Sequence, residues 1–84
     1  MGKDIMIEAL IGHLMEKYNA KCSMVWYYNV VHEPLFYIKV PKLRTLIIFK
    51  TNDLLLIYDE AGYEYMCDIV DMNIDNFIDM YGDY

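Results

Sequence analysis

The sequence predicts an α+β fold: an antiparallel sheet of about five strands with an N-terminal helix and a short acidic C-terminal helix packed on one face. Three observations lead there. Apolar residues recur at helical spacing up to Tyr18 and again from Val70, and between them lie short runs of β-branched and aromatic residues punctuated by turn residues. No strand-like run is separated from the next by enough chain for a crossover helix, so the strands are expected to meander antiparallel, with the helices gathered against them. The chain has 84 residues, and one of that length buries only about 60 to 65% of its unfolded surface. It can support one core, so 1–84 is read as a single domain.

Residues 4 to 18 form the first predicted helix. Asp4 is placed to cap the free N–H groups of the first turn, and Ile7, Leu10, Ile11, Leu14 and Tyr18 share a face that Met6 and Met15 widen. Asp4, Glu8, Gly12 and Glu16 make the wetter side, and Asn19 suits a left-handed stop. Cys22 to His32 reads as a first strand, apolar on both faces and therefore central or covered. Glu33 and Pro34 mark a turn, Leu35 to Val40 a second strand, and Pro41 an edge or break. Thr45 to Thr51 and Leu54 to Asp59 are read as a hairpin turning at Asn52-Asp53, two residues that tolerate positive φ. Asp59-Glu60-Ala61-Gly62 then supplies a second hairpin loop, and Tyr63 to Ile69 a fifth strand. Val70, Ile74, Phe77, Ile78 and Tyr81 return to helical spacing, ended by Gly82. The predicted order is α-β-β-β-β-β-α.

The apolar fraction of 57% is high for a small globular chain and includes nine Tyr, seven Met and one Trp. Part of it is available for a contact surface, because Tyr and Met are common at protein interfaces. No apolar run reaches the length that spans a bilayer, and the start of the chain leads directly into an amphipathic pattern bearing Glu8 and His13 rather than a signal peptide. Two cysteines, Cys22 and Cys67, are too few for a disulfide framework. A cytoplasmic location is expected, which for a phage-encoded protein means the host-cell cytoplasm.

Catalytic chemistry is not expected. The single serine, Ser23, lies within strand-like sequence, and the chain has no Gly-rich phosphate loop, no helical histidine pair and no close cysteine pair. His13, Cys22, His32 and Cys67 are scattered one per element, whereas zinc motifs show at least one close pair. They are read as two buried thiols and two surface or capping imidazoles, and neither metal nor cofactor is assigned.

The informative feature is charge position. All seven basic residues, Lys3, Lys17, Lys21, Lys39, Lys42, Arg44 and Lys50, fall by position 50 against four acids, a net of plus three. From Thr51 onward there are nine acids and no Lys or Arg, so the whole chain carries −6. Asp71, Asp75 and Asp79 recur every four residues and are expected to form a solvent-exposed row. Asp68 precedes the row and Asp83 follows it, while Glu64 extends it on the fifth strand and Asp59 and Glu60 on the adjoining loop. A solvated helix face usually mixes both signs, because like charges at this spacing repel by a few tenths of a kcal/mol each.

In size and charge the chain resembles small acidic phage inhibitors of host defence nucleases, many anti-CRISPR proteins among them. The expected function is binding. Asp59, Glu60, Glu64, Asp68, Asp71, Asp75, Asp79 and Asp83 would imitate a nucleic-acid backbone and dock on the basic surface of a nucleic-acid-binding protein. Direct nucleic-acid binding and membrane association are not expected. Two alternatives stand beside this reading. One is a homo-oligomeric structural or accessory protein, a homodimer in its simplest form; the other is an antitoxin or immunity protein acting on a basic toxin.

Overall fold

A computed structural model describes residues 3–27 and 33–82, with side chains at 5–23 and 34–82. Six elements follow in order: α1 (Lys3–Tyr18), β1 (Lys21–Tyr27), β2 (Glu33–Lys39), β3 (Ile47–Lys50), α2 (Thr51–Ala61) and α3 (Tyr63–Tyr81). The class is α+β, with three helices and a three-stranded antiparallel sheet in the order β1-β2-β3.

The α1 reading stands. Its buried stripe runs through Met6, Ile7, Leu10 and Leu14, while Met15 points to solvent instead of widening the stripe. Asn19 adopts φ 53°, and the Asn19 and Ala20 N–H groups donate to Met15 and Leu14, which closes the helix through a left-handed residue. The side chain of Asp4, and with it the expected cap, lies outside the described residues, as do 28–32 of the expected first strand.

One feature of the sheet differs from expectation. Pro34 is not in a turn but inside β2, opposite Trp26. β3 reaches only as far as Leu35, so at Pro34 the strand is paired on one side alone, where a missing donor is tolerated. β1 is at the edge of the sheet, which leaves the covered alternative, and α1 lies against it. Beyond β2, the Leu43 N–H donates to the Val40 carbonyl, and Pro41 takes the second position of that turn, where its fixed φ fits.

The larger correction concerns residues 51–69, which contain no strand. The Asn52-Asp53 hairpin does not exist: both residues lie in the first turn of α2. Leu54 to Asp59 is helical, and burial falls on Thr51 and Leu54 with partial cover of Leu55 and Tyr58, a helical period. Tyr63 to Ile69 is the first half of α3. Met66, Cys67, Val70 and Ile74 are buried, with Tyr63, Phe77 and Ile78 beside them, so one apolar stripe runs the length of the helix. Between α2 and α3 stands Gly62 alone, not a hairpin loop. Its N–H closes α2 on the Tyr58 carbonyl, and its own carbonyl accepts the first α3 bond, from Met66. At φ 92°, ψ 171° it occupies a region that only glycine populates readily. Gly82 caps α3, as its sequence position predicts.

The helices share one side of the sheet. α1 lies on β1, α2 on β2 and β3, and α3 touches both α1 and α2. Phe36, Ile38 and Ile47 project from the covered face and meet Leu10, Leu14, Leu54, Val70 and Ile74 in the core. On the other face Tyr37 is half-buried and its neighbour Ile48 exposed. Among the described residues, no helix is long and apolar enough to cross a membrane.

Candidate functional site

Because residues 63–69 are helical, α3 holds more acids in one row than the sequence reading allowed. Glu64, Asp68, Asp71, Asp75 and Asp79 are spaced by four, three, four and four residues over the 19-residue helix. At 100° per residue they fall within an arc of about 80°, and at 1.5 Å per residue the row is about 22 Å long. Four of them, Glu64, Asp68, Asp75 and Asp79, are exposed. The joining of Glu64 and Asp68 to the row was legible in their spacing, once the Tyr63, Met66, Cys67, Val70 stripe is seen to share the period of the later one.

Asp71 is the exception. It stands at the edge of the row nearest the core, is only 7% exposed, and is the one charged residue among those described that is buried. Its carboxylate accepts from His13 Nε2 at 3.0 and 2.9 Å and from Lys17 Nζ at 2.9 Å. A carboxylate only accepts, so His13 presents the protonated nitrogen to it. The expectation that Asp71 is solvent-exposed is therefore wrong, and the reason is that His13 and Lys17, four residues apart on α1, turn one face of that helix toward α3. Tyr18 continues the seam: its hydroxyl lies 3.3 Å from the Asp71 carbonyl and 2.8 Å from Asp75 Oδ1, to which it donates. Lys17 also sits 5.6 Å from the centre of the Tyr18 ring.

The seam is visible in its titration. Burial, then the bond to Asp75, pushes the Tyr18 hydroxyl well above its ordinary value. The bond to Asp71 raises Lys17. On α3 itself, burial pushes Tyr63 up to about 12, with the Cys67 thiol beside it contributing. Burial likewise raises both Cys67 and Cys22, which leaves neither thiol activated as a nucleophile.

The remaining predicted site residues are less concentrated. Asp59 and Glu60 are exposed in the last turn of α2 rather than in a loop, and Asp83 lies outside the described residues. Among the described residues, no three of His, Cys, Asp and Glu are grouped to hold a metal ion. Sequence reasoning passed over the apolar neighbours of the acidic row. Tyr65, Met72 and Met80 are 47, 59 and 69% exposed and line the flank of α3 that faces away from the core.

No family model, curated protein or solved structure matches the chain.

Asp59 and Glu60 in the last turn of α2, and Asp79 in the last turn of α3, stand where the helix dipole disfavours a negative charge, and neither turn contains a basic residue. Each such placement costs about 0.3 to 1 kcal/mol at an exposed position. The acidic row on α3 is thus bordered by exposed Tyr65, Met72 and Met80 and carries no compensating base in its last turn.

Proposed function

We propose that the protein is a small inhibitor that sets the acidic face of α3 against a basic groove on a nucleic-acid-handling protein, of the anti-defence kind that phages and mobile elements encode. The observation that carries this is the row Glu64, Asp68, Asp75, Asp79, four exposed carboxylates along one side of α3, in two pairs of one-turn spacing set two turns apart. Negative charges aligned along one side of a helix offer a cationic groove what a phosphate backbone offers it, and they do so without the cost of ordering a flexible chain. Tyr65 and Met72 beside the row supply apolar contact where a backbone has bases to stack. Asp71 takes no part in the contact; it fixes α3 on α1 so that the row keeps its place.

Competition tests this reading. Complex formed on the immobilised protein should be displaced by excess duplex DNA or RNA and by rising salt. A complex that persists in saturating nucleic acid would place the contact elsewhere on the partner.

One observation favours a second reading. Among the described residues β1 is an edge strand, with no neighbouring strand on its outer side, and such an edge is a template for pairing with a second copy. Light scattering separates the two: a mass that stays monomeric at every accessible concentration removes the homodimer.

A further inference from the structure

Four of the seven basic residues meet at one end of the molecule: Lys17 near the end of α1, Lys21 at the start of β1, Lys39 at the end of β2, and Lys42 in the turn that follows. The strand register sets Lys21 directly opposite Lys39. Like charges facing each other across a strand pair repel, so this pairing works against the fold. Lys17 is committed to Asp71, and Lys39 gives one N–H to the Leu43 carbonyl. An ammonium has three donors, so two remain on Lys39.

Two clefts adjoin at this end. The smaller, about 340 Å³, has Lys21 and Lys39 on its walls, and the larger, about 580 Å³, has Lys42. Asn19 and Pro41 line both and form their common rim. The left-handed turn at Asn19 and the turn at Pro41 put that rim on two conformationally restricted points of the backbone. The larger cleft has a mixed lining: besides Lys42 and the Asp71-bound Lys17, Val40 and Ile78 give it an apolar wall, and Asp75 and Glu16 give it acceptors. Small-ligand sites occupy about 300 to 1,000 Å³ and combine an apolar lining with a few placed polar groups. A molecule that fits both clefts is anionic at one end and uncharged, flat-sided and rich in N–H donors at the other.

We propose that this end of the molecule binds a nucleoside phosphate, with the phosphate on Lys21, Lys39 and Lys42 and the nucleoside in the larger cleft against Val40, Pro41 and Ile78. Amino groups of the base donate to Asp75 or Glu16. The net charge of −6 does not oppose this, because the smaller cleft is lined by Lys21 and Lys39 and by no acid, while Glu16 and Asp75 lie on the larger one. The site does not depend on the acidic-face reading, and it stands or falls separately.

The test is titration of the isotope-labelled full chain with AMP, adenosine and inorganic phosphate, followed by backbone amide NMR. AMP should shift the amides of Asn19, Lys42 and Ile78 and bind at least about tenfold more tightly than adenosine or phosphate alone, since each half supplies part of the contact. The Lys21→Ala/Lys39→Ala variant, whose spectrum should otherwise show the same fold, should lose about tenfold or more in AMP affinity through the lost charge-assisted bonds. Lys50→Ala, at the far end of the sheet, should bind as the parent does. Absence of these shifts at millimolar AMP overturns the proposal, as does phosphate binding as tightly as AMP, or a double lysine variant that binds AMP unchanged.

Discussion

Asp71 shows how a single position can look like part of a surface row and act as part of the interior. It keeps the four-residue spacing of Asp75 and Asp79, yet its carboxylate is buried against His13 and Lys17. Removing one member of a buried charged cluster leaves the others without compensation, so Asp71→Ala is expected to cost about 2 to 3 kcal/mol. Asp68→Ala, at an exposed position on the same helix, should fall within about 0.5 kcal/mol of the parent. Urea denaturation of the two variants checks this, and equal costs would mean that the seam does not hold α1 to α3. Tyrosine gives a second prediction at this scale. The folded protein holds the Tyr63 hydroxyl up to about 12 against an ordinary value of 10.0, and raises Tyr18 as well. A group raised on folding contributes stability that is whole below its unfolded value and is lost as pH climbs through the folded one. Stability should therefore decline from about pH 10 upward, the Tyr63 share being lost between pH 10 and 12, and tyrosinate absorbance should appear in step with unfolding. Tyrosinate that forms in the intact fold near pH 10 would contradict it.

At the scale of elements, Gly62 is the most demanding position. One residue ends α2 and begins α3, and its φ of 92° with ψ of 171° excludes a side chain on backbone grounds alone, since a Cβ there would meet nothing within 4 Å. Gly62→Ala should accordingly cost about 1 to 3 kcal/mol. A thermal melt measures this, and an unchanged Tm would show that the joint relaxes freely. The same joint marks where the sequence misleads. Asn52-Asp53 and Asp59-Glu60-Ala61-Gly62 have the composition of hairpin turns, and Leu54 to Tyr58 is a five-residue apolar run whose period cannot be told from the run itself. Tertiary burial decides it: Thr51 and Leu54 face the core and Leu56 does not. Where the periodic stretch is long, as in α1 and in the second half of α3, spacing alone identified the helix and its end, including Asn19 and Gly82. The acidic row was legible as charge and spacing, but its reach back to Glu64 depended on the helix that the hairpin reading concealed. The seam from His13 to Asp71 spans 58 positions of sequence and left no local trace.

Across the whole molecule the charges are separated along the sequence. The basic residues lie in the first 50 positions, with four lysines gathered at one end, and eight of the thirteen acids lie on the two C-terminal helices. Where α1 crosses α3 the two signs meet in an ion pair, at Lys17 and Asp71. The exposed acids Glu64, Asp68 and Asp79 can be reversed without touching that seam, so the triple lysine variant should keep the fold while losing the partner. Reversal of interfacial charges that dock on a cationic groove is expected to weaken binding by about 2 kcal/mol or more, over thirtyfold. The most direct measurement of the central claim is a paired affinity capture from lysate of the native host, with the parent chain and the Glu64→Lys/Asp68→Lys/Asp79→Lys variant side by side and stepwise salt elution. The predicted result is a basic nucleic-acid-binding protein that the parent retains, releases as salt rises, and that the variant fails to hold; the same proteins captured equally by both chains would contradict the account.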